Sequence, residues 1–121
     1  MLVLQHGNEP SSGVLQDVLQ ARGLDSVVVR VDRCDQLPDP KRLGLAVVVG
    51  LERFPGHRAE EWVDAELDWL RRADRGGTAV LALGSGAQAL AVALGGGVQR
   101  AQPSRHGWLR ITTTEQSALE R

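Results

Sequence analysis

Short apolar runs alternate along the chain with longer amphipathic stretches. Four compact apolar runs predict strands, at 1–5, 26–31, 45–50 and 78–83. Three stretches with apolar residues at helical spacing predict helices, at 13–22, 57–75 and 86–94. Parallel strands need crossover connections, and these helices have the length to supply them. The pattern therefore predicts a three-layer α/β domain with a mostly parallel sheet.

The stretch 57–75 gives the clearest helix signal. Its apolar residues fall along one broad face and predict its buried side: Trp62, Val63, Leu67, Leu70 and Ala73. The charged residues of the same helix are expected to form a solvated face. The polar connection 32–44 predicts a loop, and GWLRITTT (107–114) predicts an outer strand.

Composition narrows the classes of function. The 121 residues predict one domain, 1–121, and the net charge of −1 provides no basic surface for nucleic acid or an anionic membrane. The first residues contain no signal peptide pattern, and no apolar stretch is long enough to span a bilayer. The single cysteine, Cys34, fits a reducing cytoplasm, and the excess of Arg over Lys suggests a bacterial source.

The stretch AVLALGSGAQALAVALGGG (79–97) predicts a strand, a glycine turn and a helix. Enzymes use this layout to present a nucleophile at the carboxyl edge of a sheet, where ligands of α/β domains gather. That edge is predicted to be lined by four segments: 6–12, 32–36, 50–55 and 84–87.

The residues ALGSGAQALAVALGG (82–96) resemble the elbow of class I glutamine amidotransferases, whose pattern is G-[IV]-C-x-G-x-Q-x-[LM]-A-x-A-x-G-G. The matching positions include Gly86, Gln88 and Leu90. The segments MLVLQH, VVVRVD, LAVVVG and AELDWLRRA occur in the order in which that family has similar segments. The resemblance implies the family's flavodoxin-like fold. It covers the whole chain, which corresponds to about the first two thirds of a family domain.

Three departures from that pattern bear on function. The register of Gly86 and Gln88 puts Gly84 where the family has its cysteine, and Leu51 follows Gly50 where the family has an oxyanion-forming Gly-Gly pair. The resemblance implies that the family's His-x-Glu pair would fall in a C-terminal third without a counterpart among these 121 residues. The resemblance therefore implies no catalytic residue, with Gly84 as a degenerate nucleophile position beside Ser85.

Other chemistry at the predicted edge has simpler interpretations. If Ser85 were the nucleophile of a hydrolase, an Asp and a His of the catalytic set should follow it in that order, and the sequence has no such set. The alternative is that Ser85 caps the helix that begins at 86. His6 is expected to be satisfied by loop backbone, although it could meet a ligand. Four acidic residues are predicted at this edge: Glu9, Asp32, Asp35 and Glu52. Their spacing matches no metal-ligand motif, and no metal or cofactor is expected.

The resulting hypothesis is a non-catalytic, cytoplasmic glutamine amidotransferase-like protein that acts as a binding or accessory subunit. Two alternatives remain: a glutaminase half-site completed by a partner chain, and a small-metabolite binding domain using the old glutamine pocket. The candidate ligand-binding residues are Gly50, Leu51, Gly84, Ser85, Gly86 and Gln88. A homodimer or a protein partner is expected, with three interface candidates: Trp108, Leu109 and Ile111.

Overall fold

The computed structural model describes residues 1–6, 13–33, 36–50, 61–99 and 107–110. These form a four-stranded, all-parallel sheet with three α-helices. The strands are β1 (Leu2–Gln5), β2 (Val27–Arg30), β3 (Leu45–Gly50) and β4 (Ala79–Gly84), and the helices are α1 (Gly13–Ala21), α2 (Glu61–Arg75) and α3 (Ser85–Ala93). The spatial order is β2-β1-β3-β4, so the predicted α/β, flavodoxin-like class is confirmed.

The core has two layers because side chains alternate between the faces of each strand. On one face, Leu4 of β1 and Val48 of β3 pack with α2 and α3. On the other face, Val3 and Val47 pack with Leu19 of α1. Both central strands are therefore buried on both sides, which explains their nearly continuous apolar sequence.

Helix α2 contributes most of the helical side of the core. Val63, Leu67, Leu70 and Ala73 are buried as predicted, whereas Trp62 is half-buried. The prediction that the charged residues of this helix are all solvated is wrong for Glu66, which is fully buried. At 15 residues α2 is the longest helix in the described ranges, and none of the helices there is long and apolar enough to cross a membrane.

The connection between β2 and β3 is more ordered than a loop prediction suggests. It contains 3-10 turns at Val31–Arg33 and Pro40–Arg42. The indole of Trp69 donates to the carbonyl of Pro38 at 2.6 Å, and the hydroxyl of Thr78 donates to that of Pro40 at 2.8 Å. These bonds attach the connection to α2 and to Thr78, the residue before β4, and they give both carbonyl groups a donor. Cys34 lies outside the described residues.

The predicted strand at 107–114 is not present in its described part. Gly107–Arg110 form no strand, and Trp108 and Leu109 are exposed. A strand requires a hydrogen-bonded neighbour as well as β-forming residues, and none of the described strands pairs with these four residues. Ile111 lies outside the described residues.

At the carboxyl end of β2, Arg30 and Asp32 form an ion pair that should make stability depend on pH. Arg30 Nε donates to Asp32 Oδ1 at 3.1 Å, and a second guanidinium nitrogen donates to Oδ2. The hydrogen bonds from Arg30 hold the pKa of Asp32 below its usual range. A lowered pKa contributes stability above the unfolded-state value of about 3.9, and that stability is lost as the pH falls through the folded value.

We therefore expect Asp32→Asn to lower the free energy of unfolding near pH 7 by about 1 kcal/mol or less, since the pair is partly exposed. The difference from the parent should shrink as the pH falls below about 4. Urea unfolding at several pH values measures both effects. Asp17→Asn, on the exposed side of α1, is the control and should change little. A constant difference at all pH values would contradict the role assigned to the ion pair.

Candidate functional site

The carboxyl ends of the four parallel strands lie at one edge of the sheet. There β1 is followed by His6, and β3 and β4 end at Gly50 and Gly84, which are register partners. The backbone N–H of His6 donates to the carbonyl of Val49 at 3.1 Å, so His6 continues the pairing of β1 with β3. Three of the four segments predicted for this edge therefore contribute to one small region.

Gly84 forms the turn between β4 and α3. Its backbone has φ 60° and ψ −129°, a conformation that strains any residue with a side chain. A nucleophile elbow has such a sharp strand-to-helix turn. A Cβ on Gly84 would also lie 2.0 Å from the carbonyl oxygen of Gly50. The residue in the elbow position is thus a glycine, and the space that its Cβ would need is filled by β3.

Two further glycines allow the turn to approach β3 closely. A Cβ on Gly86 would lie 2.6 Å from the carbonyl oxygen of Val48. A Cβ on Gly50 would lie 1.9 Å from Ser85 Oγ and 2.7 Å from His6 Nδ1. The absence of a side chain at Gly50 therefore leaves the space in which the hydroxyl of Ser85 and the ring of His6 meet.

Ser85, His6 and Glu66 form a buried polar chain at this place. His6 Nε2 lies 2.6 Å from Glu66 Oε1, and His6 Nδ1 lies 3.5 Å from Ser85 Oγ. The side chains come from three elements: the end of β1, the second turn of α2 and the first residue of α3. Trp62 packs beside the imidazole with ring centroids 5.2 Å apart. The order hydroxyl, imidazole, carboxylate is that of a nucleophile, a base and a group that orients the base.

Most of the predicted ligand-binding residues are brought together. Gly50, Gly84, Ser85 and Gly86 are adjacent at the elbow. Gln88 is half-buried on α3, and Leu51 lies outside the described residues.

Two interpretations made from the sequence are wrong. Ser85 does not cap a helix from 86, because α3 begins at Ser85 with Gly84 as its N-cap, and the hydroxyl lies near His6 instead. The ring nitrogens of His6 face the side chains of Glu66 and Ser85 rather than loop backbone in the described part of the chain.

Glu66 is the site residue that the sequence analysis missed. It lies one turn from Val63 and one from Leu70, within the apolar stripe of α2. A carboxylate at such a position needs a buried partner, because an isolated buried charge is strongly unfavourable. The signal was therefore a charged residue in a core position, and His6 is the partner that it requires.

The described residues contain no group of three or more His, Cys, Asp or Glu side chains that could hold a metal ion. Asp32 is bound to Arg30. The other acidic residues considered for this edge lie outside the described part of the chain: Glu9, Asp35 and Glu52.

Comparison with known structures identifies the fold. A glutamine amidotransferase from Methylobacillus flagellatus superposes with a TM-score of 0.68 at 25% identity, over 78% of this chain and 38% of that one. A glutamine amidotransferase from Thermotoga maritima superposes with a TM-score of 0.64 at 17% identity, over 78% of this chain and 43% of that one. No protein-family model matches the sequence, and neither does any curated protein.

The chain thus has the α/β fold of these glutamine amidotransferases and spans about two fifths of the length of each. The expectation of a glutamine amidotransferase-like fold is confirmed. Fold alone does not determine chemistry, which depends on the residues at the site.

The elbow geometry leads to a prediction about stability. Gly84→Ala should lower the free energy of unfolding by about 2 kcal/mol or more, because alanine is strained at this φ and ψ and its Cβ would collide with Gly50. Gly97→Ala is the matched control, since a Cβ there meets no atom within 4 Å. Thermal or urea unfolding of the two variants gives the comparison. Equal stability of both variants would mean that the turn relaxes easily.

Proposed function

We propose that this chain is a glutamine amidotransferase-like domain that does not hydrolyse glutamine and acts by binding, as an accessory subunit. The observation that carries the proposal is the elbow residue. Gly84 stands where the resemblance puts the cysteine, and it has no atom that could form a thioester. Because the carbonyl of Gly50 fills the Cβ position, the turn is also packed for glycine rather than for a side chain.

A second observation favours association with another protein surface. On the face of the sheet opposite α2 and α3, Leu81 and Leu83 of β4 lie beside Val47 and Val49 of β3, yet both leucines remain about two-fifths exposed. Within the described sheet, β4 is an edge strand. Exposed leucines on an edge strand favour pairing with another chain. Trp108 and Leu109 add exposed apolar surface.

The first test is an ammonia assay. The purified chain should release no ammonia from glutamine above the level of a protein-free blank, because the elbow lacks a thiol. An active glutaminase assayed in parallel shows that the conditions permit turnover. Release by the chain alone would refute the proposal. Release only after addition of a partner protein would instead support the half-site alternative.

The second test is the oligomeric state. We expect a homodimer, since closed two-fold pairs are the commonest way to cover such a surface. Light scattering should give about twice the mass of the chain, which is 13.1 kDa. Trp108→Glu and Leu83→Glu should lower that mass, whereas Val14→Glu, also at an exposed apolar position, should not. A monomer at tens of micromolar would contradict the homodimer.

A further inference from the structure

We propose that Ser85 is a nucleophile that His6 and Glu66 activate, and that it accepts an acyl group from small activated esters. The inference goes beyond the proposed function, because it concerns a hydroxyl and an ester rather than a thiol and the amide of glutamine. A single acyl transfer to Ser85 is compatible with a domain that otherwise acts by binding.

The hydrogen bonds fix the direction of proton transfer. An ionised carboxylate only accepts hydrogen bonds, so Nε2 of His6 carries the proton that is shared with Glu66 at 2.6 Å. Nδ1 then presents its lone pair to the hydroxyl of Ser85 at 3.5 Å. This separation is longer than a normal hydrogen bond, and such contacts commonly shorten when substrate binds.

Burial supports a chemical role for this set. Glu66 is fully buried, and its Oε2 has no hydrogen-bond partner in the described part of the chain. Burying a charged pair is expensive, and an apolar pair of similar volume often stabilises a fold as well or better. A carboxylate that fixes the tautomer of an imidazole beside a hydroxyl explains why a charged residue stands here.

The position of Ser85 at the start of α3 also provides hydrogen-bond donors for an oxyanion. It is the first residue of the nine-residue α3, and the backbone N–H groups of a first helical turn have no acceptor within the helix. These groups favour negative charge, such as the oxyanion of a tetrahedral intermediate. Ser85 is 6% exposed and lies close to Gly50, so its hydroxyl is more accessible to a small acyl group than to a bulky one.

The acyl transfer from the ester to Ser85 needs no cofactor and no oxidant. Ser85 Oγ attacks the ester carbonyl, and its proton passes to Nδ1 of His6. The tetrahedral intermediate collapses with cleavage of the bond between the acyl carbon and the alcohol oxygen, and the proton passes to the departing alkoxide. The products are an ester on Ser85 and the free alcohol.

The test uses the intact chain with p-nitrophenyl acetate. We expect release of up to one equivalent of p-nitrophenolate in an initial phase, with one acetyl group located on Ser85 by peptide mass spectrometry. Ser85→Ala should abolish that adduct. Ser26→Ala is the matched control at a half-buried serine and should leave it unchanged. No acetyl group on Ser85 of the folded chain would overturn the proposal.

Variants of His6 and Glu66 test whether these residues activate Ser85 or whether its hydroxyl reacts only because it is accessible. His6→Gln and Glu66→Gln should each slow acylation of Ser85 by on the order of 100-fold, the usual contribution of a positioned base. Glu66→Gln keeps the size and shape of the side chain but removes its charge, so a purely structural role of Glu66 would leave the acylation rate unchanged. Thermal unfolding shows which variants are folded. If one of the two variants does not fold, the rate of Ser85 acylation in the folded variant is the test. An acylation rate equal to that of the parent would overturn the proposal.

The outcome is independent of the proposed function. Acylation of Ser85 without ammonia release from glutamine supports both proposals. Absence of acylation with absence of ammonia release refutes only this inference, and release of ammonia refutes only the proposed function.

Discussion

The close approach of the β4–α3 turn to the end of β3 is the constraint on which the site depends. The carbonyl groups of Val48 and Gly50 occupy the positions that Cβ atoms of Gly86 and Gly84 would need. Because the backbones meet without side chains between them, the first turn of α3 lies directly over β3. This contact brings the hydroxyl of Ser85 to the imidazole that follows β1, so the packing of three glycines sets the geometry of the polar groups.

The hydrogen bond between His6 and Glu66 connects this edge to α2. Both side chains are buried, so their interaction is little screened by water. The apolar stripe of α2 packs on the sheet, and this packing holds Glu66 beneath the end of β1. An apolar core and a buried polar chain therefore share one helix. The same helix contributes Trp62, whose ring packs beside the imidazole.

The relation to the glutamine amidotransferases concerns fold more than chemistry. The two structures share the strand and helix arrangement over 78% of this chain. Related folds commonly support different functions because residues at the strand ends change. Here the elbow position is Gly84, whereas a hydroxyl that faces an imidazole stands one residue further along, at Ser85. Because of this one-residue displacement, the absence of a thiol at Gly84 does not determine whether Ser85 is reactive.

The sequence by itself determined the local elements. LAVVVG predicted β3 with the correct bounds, and the predicted helix 13–22 matches α1 closely, with Gly23 at φ 68° just after its end. Periodicity and turn residues suffice for such features because they depend on neighbours within a few positions. For the same reason they failed at Gly107–Arg110, where a strand would need a distant partner.

Only the tertiary structure decided what meets at the strand ends. Glu66 is 60 residues from His6, and Ser85 is 79 residues from it. No local pattern encodes these contacts. They arise because the parallel sheet aligns its carboxyl ends and because the glycine turn lets α3 approach β3. The sequence indicated which edge of the sheet could hold a site, and the packing of the sheet, α2 and α3 decided which side chains lie together there.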